Sequence, residues 1–283
     1  MICSSEPTIL VPMTSPPTAT TRGILNPAAS PSGLSFDDFP PCEELRPHVA
    51  RIFVASWSLT APHVQPLLPC PCGYLVLGTE RPGVHGVTTH RLEVELAGNG
   101  WVVGFRFRPG ALRSFLDRPM HELRNRVMTL GDAFGPDGSR LALAVTRASP
   151  GGRVSLVEHF LLDQPRTSSP DAHLVDRAVE TARTMPEVHT VRALAERVGV
   201  SVRVLELRFR DYVGFSPKAM IRRCRVIELA EAVARGEHVD WAEQAARRGY
   251  ADQAHLIRDF KEQVGAPPAS YAALCAGPGL RSA

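Results

Sequence analysis

The feature that most constrains this chain is a repeat inside its last third. The segment VRALAERVGVSVRVLELRFRDYVGFSPKAM can be laid over WAEQAARRGYADQAHLIRDFKEQVGAPPASY. Ala195 and Gly199 recur 50 residues later as Ala245 and Gly249. After one extra residue in the second turn, Leu205, Phe209, Val213, Gly214 and Pro217 recur 51 later as Leu256, Phe260, Val264, Gly265 and Pro268. Self-similarity of this kind marks one structural unit used twice.

Each copy follows the same local rules. A short helix carries a small Ala, where a second helix can cross closely. Gly ends it, because a tight turn needs a positive φ that only Gly adopts cheaply. Ser201 or Asp252 then stands at the N-cap, its side-chain oxygen accepting from orphan amides of the next helix. That helix presents Leu and Phe four residues apart to a core. Short helix, glycine turn and capped helix make a helix-turn-helix. Between the copies, Ser216-Pro217 opens a helix running to about Arg235, with Pro at the first helical position. At 1.5 Å per residue this connector spans roughly 28 Å. Successive major grooves on one face of B-DNA lie about 34 Å apart, so such a connector could hold two helices in adjacent groove segments.

With Leu205 and Phe209 inward, 100° per residue turns Arg203, Leu207 and Arg210 to the opposite face. In the second copy Ala254, Arg258 and Lys261 face out, and Gln253 and His255 stand in the first turn. Arg reads guanine bidentately, Gln reads adenine, and small apolar groups touch a thymine methyl. Base-edge candidates are therefore Arg203, Leu207, Arg210, Gln253, Ala254, His255 and Arg258. Arg208 falls beside the core. The formal charge of the whole chain is only +3, yet residues 203 to 225 carry seven basic residues against two acids, a local +5. Such a patch would displace phosphate counterions, which makes Lys218, Arg222, Arg223 and Lys261 phosphate candidates. Gln244 and Arg248 stand where the first copy has Leu194 and Val198, which predicts a less apolar, weakly packed helix.

The rest of the chain reads differently. Residues 1 to 41 hold eight prolines among many Ser and Thr, which predicts a disordered leader. Residues 51 to 59, 74 to 79, 91 to 96 and 101 to 108 predict strands, the third alternating Leu92, Val94 and Leu96 with charges. ALRSFL after Pro109-Gly110 reads as a helix, and residues 139 to 162 as two helices broken at Pro150-Gly151-Gly152. The expected fold is an α+β N-terminal domain, β-rich with helices, over 42 to 165. An all-α C-terminal domain follows over 166 to 275, with two helix-turn-helix motifs joined by a long helix. Residues 276 to 283 form a tail.

The six cysteines, Cys3, Cys42, Cys70, Cys72, Cys224 and Cys275, have no framework spacing, which suggests reduced thiols in a cytoplasm. Cys70-Pro71-Cys72 with His63, His85 and His90 nearby raises a Cys-dependent metal site or DNA alkyl acceptor as the alternative reading. The spacing is not Cys-x-x-Cys and no second close pair exists, so the site assignment holds no metal. No phosphate-cradling glycine loop, nucleophile elbow or His-Glu-x-x-His spacing occurs, which indicates neither an enzyme nor a cofactor. His159 on an apolar helix reads as a core residue. A protein-interaction module with decayed DNA contacts is the third class, resting on Leu207 and Gln244 alone.

The second copy, GYADQAHLIRDFKEQVGAPPASY, resembles the signature of the AraC/XylS family of bacterial transcription regulators through Gly249, Tyr250, Arg258, Phe260, Gly265, Pro268 and Tyr271. The resemblance covers about 100 residues. It departs at Leu207, where that family often has Arg. VVGFRFRPGALRSFL and HELRNRVMTLGDAFG resemble a domain of unassigned function found ahead of many such regulators in high-GC bacteria. What the resemblance implies is a cytoplasmic, nucleoid-associated regulator, usually an activator, with its recognition helices in successive major grooves of promoter or operator DNA. The partners it implies are double-stranded DNA, RNA polymerase, a small-molecule effector and a second copy in a homodimer, with no membrane.

Overall fold

The computed structural model describes residues 31–67, 70–166, 169–185 and 187–275. The N-terminal half is one antiparallel sheet. Its strands are β1 (Leu34–Phe39), β2 (Val49–Leu67), β3 (Tyr74–Gly78), β4 (Gly83–His85), β5 (Leu92–Phe107) and β6 (Val127–Met128), in the order β1-β2-β5-β3-β4-β6. The two strands expected over 91 to 96 and 101 to 108 are a single strand, β5. It pairs with the longer β2 from Val49 opposite Phe107 to Leu67 opposite Leu92, with register shifts at Val49/Arg51 and Leu59/His63, and the partner backbone carries the ladder through the glycines at 98 and 100.

Two further expectations are corrected here. The leader expected over 1 to 41 contains β1, an edge strand whose six residues pair with β2. Asp38 holds Arg51 at 2.9 Å, and Phe36 stacks on Phe53 at 6.1 Å. Residues 1–30 and the tail at 276–283 lie outside the described residues. ALRSFL is a 3-10 turn over Leu112–Ser114, not an α-helix. Leu112, Phe115 and Leu116 enter the core from this tight turn, which lies between Pro109 and Pro119.

Helices α1 (Leu130–Arg147) and α2 (Arg153–Asp163) cover the sheet. Leu141, Val145, Val157 and Leu161 close on Leu75, Phe105 and Phe107 to form the first core. The seven remaining helices are α3 (Pro170–Thr184), α4 (Val191–Val198), α5 (Val202–Tyr212), α6 (Pro217–Ala234), α7 (Trp241–Arg247), α8 (Gln253–Val264) and α9 (Pro268–Cys275). They build two more cores, one per repeat, around Leu205 and Phe209 and around Leu256 and Phe260. The expected helix grammar holds. Ser201 accepts from the Val204 amide, Asp252 from His255, and Ser216 from Ala219 with Pro217 next. The turn glycines Gly199 and Gly249 have φ of +78° and +69°. At 1.5 Å per residue, the 18 residues of α6 span about 27 Å.

The two halves interlock. Val87, from the loop after β4, belongs to the core of the first repeat. Gly214, at the end of that repeat, has φ of +99°, and a Cβ there would sit 2.7 Å from the Met120 carbonyl oxygen and 3.1 Å from Val87. Gly214→Ala should therefore cost about 1–3 kcal/mol of stability. Gly236→Ala, also left-handed at φ +74° but with nothing within 4 Å of the new Cβ, should cost less. Denaturant midpoints of the two variants check this, and equal shifts would contradict the close approach.

Candidate nucleic-acid interface

Helix periodicity places the outer face of each capped helix where expected. On α5, Leu205 and Phe209 are buried, while Arg203, Leu207 and Arg210 are exposed. On α8, Leu256 and Phe260 are buried, while Gln253, Ala254, His255, Arg258 and Lys261 are exposed. The His255 ring meets the Tyr250 ring edge-on at 5.2 Å, which orients the imidazole at the start of α8. Arg208 turns aside to Asp171 of α3 at 2.7 Å, as its position beside the core requires. Sequence reading missed Val202 and Val204, each 37 % exposed in the first turn of α5. The signal was available for Val204, which lies off the Leu205–Phe209 side, whereas Val202, three residues before Leu205, lies on that side of the helix. With Leu207, 40 % exposed, Val204 makes part of this surface apolar, suited to thymine methyl groups.

The arginines of α6 correct the phosphate assignment. Arg223 is buried and donates to the carbonyl oxygens of Thr88 and Thr89, the latter at 2.9 Å, in the loop between β4 and β5. Its side chain faces the N-terminal domain, so the structure turns Arg223 inward, where the sequence suggests a phosphate contact. Arg225, also buried, donates to Arg248 O at 2.9 Å and Val188 O at 3.0 Å. Arg222 is half exposed, yet its Nε donates to Asp259 of α8 at 3.1 Å and a second nitrogen binds the other carboxylate oxygen. The local +5 is thus largely consumed inside the protein. Lys218 and Lys261 remain on the surface as expected.

These contacts seat α8. Asp259 is 1 % exposed and accepts from Arg222, from Tyr250 Oη at 2.6 Å and from Gln263 Nε2 at 2.8 Å. Burial pushes its pKa up, but the hydrogen bonds from Arg222, Tyr250 and Gln263 outweigh this and hold it below the usual carboxylate value. The expected weakness of α7 is also corrected. Arg248 is buried, binds Glu228 of α6 at 2.8 Å and contacts the Gln244 side chain, so the polar pair replaces the missing apolar one.

Among the described residues, no group of three or more His, Cys, Asp or Glu side chains is arranged to hold a metal ion. His63 contacts Gln65 and His85 contacts the Arg81 carbonyl, so the histidines near Cys70 and Cys72 in sequence do not gather around them. His159, expected in the core, is instead exposed on α2, with its Nδ1 at 2.6 Å from Ser155 O. Among the described residues no helix is long and apolar enough to cross a membrane.

The repeated capped helices and their exposed outer faces define a helix-turn-helix protein. Residues 194–273 match a family model described as a helix-turn-helix domain, and residues 37–129 match a domain of unknown function, DUF6597. The C-terminal region thus carries a helix-turn-helix domain, preceded by a β-rich domain that matches one of unknown function. A search of curated proteins finds no match. Among solved structures, the DNA-binding domain of the global transcriptional factor AdpA in complex with a target DNA is 29% identical, over 41% of this chain and 100% of that one, with a TM-score of 0.32. The C-terminal domain of AraT, a response regulator from Geobacillus stearothermophilus, is 25% identical over 37% of this chain and 85% of that one, with a TM-score of 0.33. ToxT from Vibrio cholerae O395 is 11% identical over 87% of this chain and 100% of that one, with a TM-score of 0.40.

The Asp259 network carries a pH signature. A carboxylate with a depressed folded pKa stabilises above its unfolded value, 3.8, and loses that contribution as pH falls through the folded value. Asp259→Asn should cost about 1–3 kcal/mol at pH 7 and flatten the acid limb of stability against pH. Thermal melts between neutral pH and pH 3 test this; an unchanged acid limb would remove Asp259 as its source.

Proposed function

We propose that this protein is a sequence-specific transcription regulator that sets α5 and α8 into successive major grooves of one DNA duplex. The observation that carries the reading is the pair of outer faces, both exposed, on capped helices at the two ends of α6. A connector of about 27 Å is commensurate with the roughly 34 Å groove repeat. The two helices differ in chemistry. α8 offers hydrogen-bonding groups at Gln253, His255 and Arg258, and α5 offers Val204 and Leu207 flanked by Arg203 and Arg210. Base choice by hydrogen bonding is assigned to α8, and methyl contact with guanidinium support to α5. The neighbouring AdpA domain is in complex with a target DNA, which accords with this reading.

On this reading the β-rich domain senses a signal or joins two copies, and the output is exerted on RNA polymerase at a promoter. Selection of bound sites from a random DNA library, followed by footprinting, tests it. Two protected patches about one helical turn apart are expected. Arg258→Ala should cost about 1–3 kcal/mol at one base position. Lys218→Ala should weaken all sequences alike and lower the salt slope by about 1, whereas Arg223→Ala should leave the slope unchanged while lowering stability. Equal affinity for selected and scrambled DNA at every salt concentration would refute sequence reading and leave a protein-interaction role.

A further inference from the structure

The glycines that end α5 and α8, Gly214 and Gly265, stand 51 residues apart at equivalent places in the repeat. Both have a left-handed φ, +99° and +89°, and both lie against the β-rich domain. A Cβ at Gly214 would meet Met120 O and Val87, and one at Gly265 would collide with the Arg91 guanidinium. We propose that the segment 87–91 is a caliper that holds the C-terminal ends of α5 and α8 at a fixed separation. Arg91 is its positioning residue for α8, and the spacing between the two DNA half-sites that one chain accepts is set from the N-terminal domain. The spacing rests on the function proposed above, whereas the grip on the two helix ends does not.

The grip has a part for each helix. Val87 is 2 % exposed and packs in the core that holds Leu205 and Phe209 of α5. The carbonyls of Thr88 and Thr89 accept from Arg223 of α6, and Asn125 Oδ1 accepts from the Thr89 amide at 2.8 Å. Arg91 Nη1 donates to the carbonyl oxygen of Val264, the last residue of α8, at 3.2 Å. A helix leaves its last carbonyls without intrahelical donors, and its dipole makes that end negative. A guanidinium there supplies both a donor and a charge. Glu93, on β5, binds the same guanidinium and braces it. Leu92, the next residue, pairs with Leu67 of β2, which ties Arg91 to the long ladder.

The two repeats have separate cores, and α6 contributes to both. Met220, Ile221 and Cys224 enter the first, and Val226, Leu229 and Val233 the second. A helix of ordinary curvature, with a radius of roughly 60–100 Å, turns its ends by about 15–25° over the 18 residues of α6. Inserting one base pair rotates the far half-site by about 34–36° and moves it by about 3.4 Å. A connector free to bend would therefore absorb much of a one-base-pair change. A second link between the ends of α5 and α8 closes a triangle with α6 and removes that freedom.

The test takes a site selected from a random DNA library, with versions in which one base pair is inserted or deleted between the half-sites. The full chain should lose about tenfold in affinity on either change, and its Arg91→Ala variant about threefold or less. Arg91 is 33 % exposed, so its replacement leaves no buried cavity. Arg91→Lys, which keeps a donor and a charge at the end of α8, should restore most of the preference. Arg258→Ala is the control and should weaken all three spacings by one common factor. The positioning role is overturned if Arg91→Ala does the same, or if the unaltered chain is indifferent to spacing. Failure to select any site would instead overturn the DNA-binding reading. The grip is then still read without DNA, by hydrogen exchange at the amides of residues 261–265. Exchange there should quicken by about fivefold or more in Arg91→Ala, and unchanged exchange would overturn the caliper itself.

Discussion

Arginine cannot shed its charge on burial, so a buried guanidinium must find acceptors for its donors or unfold its surroundings. Helix α6 carries two such groups, Arg223 and Arg225, and a third, Arg222, whose partner carboxylate is buried. Each points to a different part of the molecule. Arg223 holds the carbonyls of the β4–β5 loop, Arg225 joins the end of α7 to Val188, and Arg222 fixes α8 through Asp259. The placement of both repeats and of the N-terminal domain therefore refers back to one helix. Apolar packing supplies each core, but non-directional packing would not by itself set the rotation of α8 about its axis. Directional hydrogen bonds to a rigid planar fork do so.

The same helix brings the β-rich domain into contact with both repeats. The loop from Gly86 to Arg91 contributes Val87 to the core of the first repeat and the Thr88 and Thr89 carbonyls to Arg223. Arg91 then donates to Val264 O at 3.2 Å, at the end of α8. Asn125, at φ +60°, holds this loop from behind through Thr89. One short segment thus touches the first repeat, the connector and the second repeat, a physical route by which a change in the sheet would reach both repeats.

The amino-acid sequence determined what is local. The 50- and 51-residue offsets, the caps at Ser201 and Asp252, the turn glycines and the 100° spacing were sufficient to find both helix-turn-helix units and to turn Arg203, Leu207, Arg210 and Arg258 outward. Such features depend on residues within one helical turn of each other. The strands were legible as types but not in extent, because β5 runs through its glycines only where β2 lies alongside it. What only the tertiary structure decided is the fate of the charged residues of α6. A run of arginines reads the same whether it faces phosphates or carbonyls. Arg223 meets its acceptors 134 and 135 residues away, and Arg222 meets Asp259 37 residues away. The outer faces of α5 and α8 were written in helical periodicity, but the patch between them was turned inward by partners that no local pattern encodes.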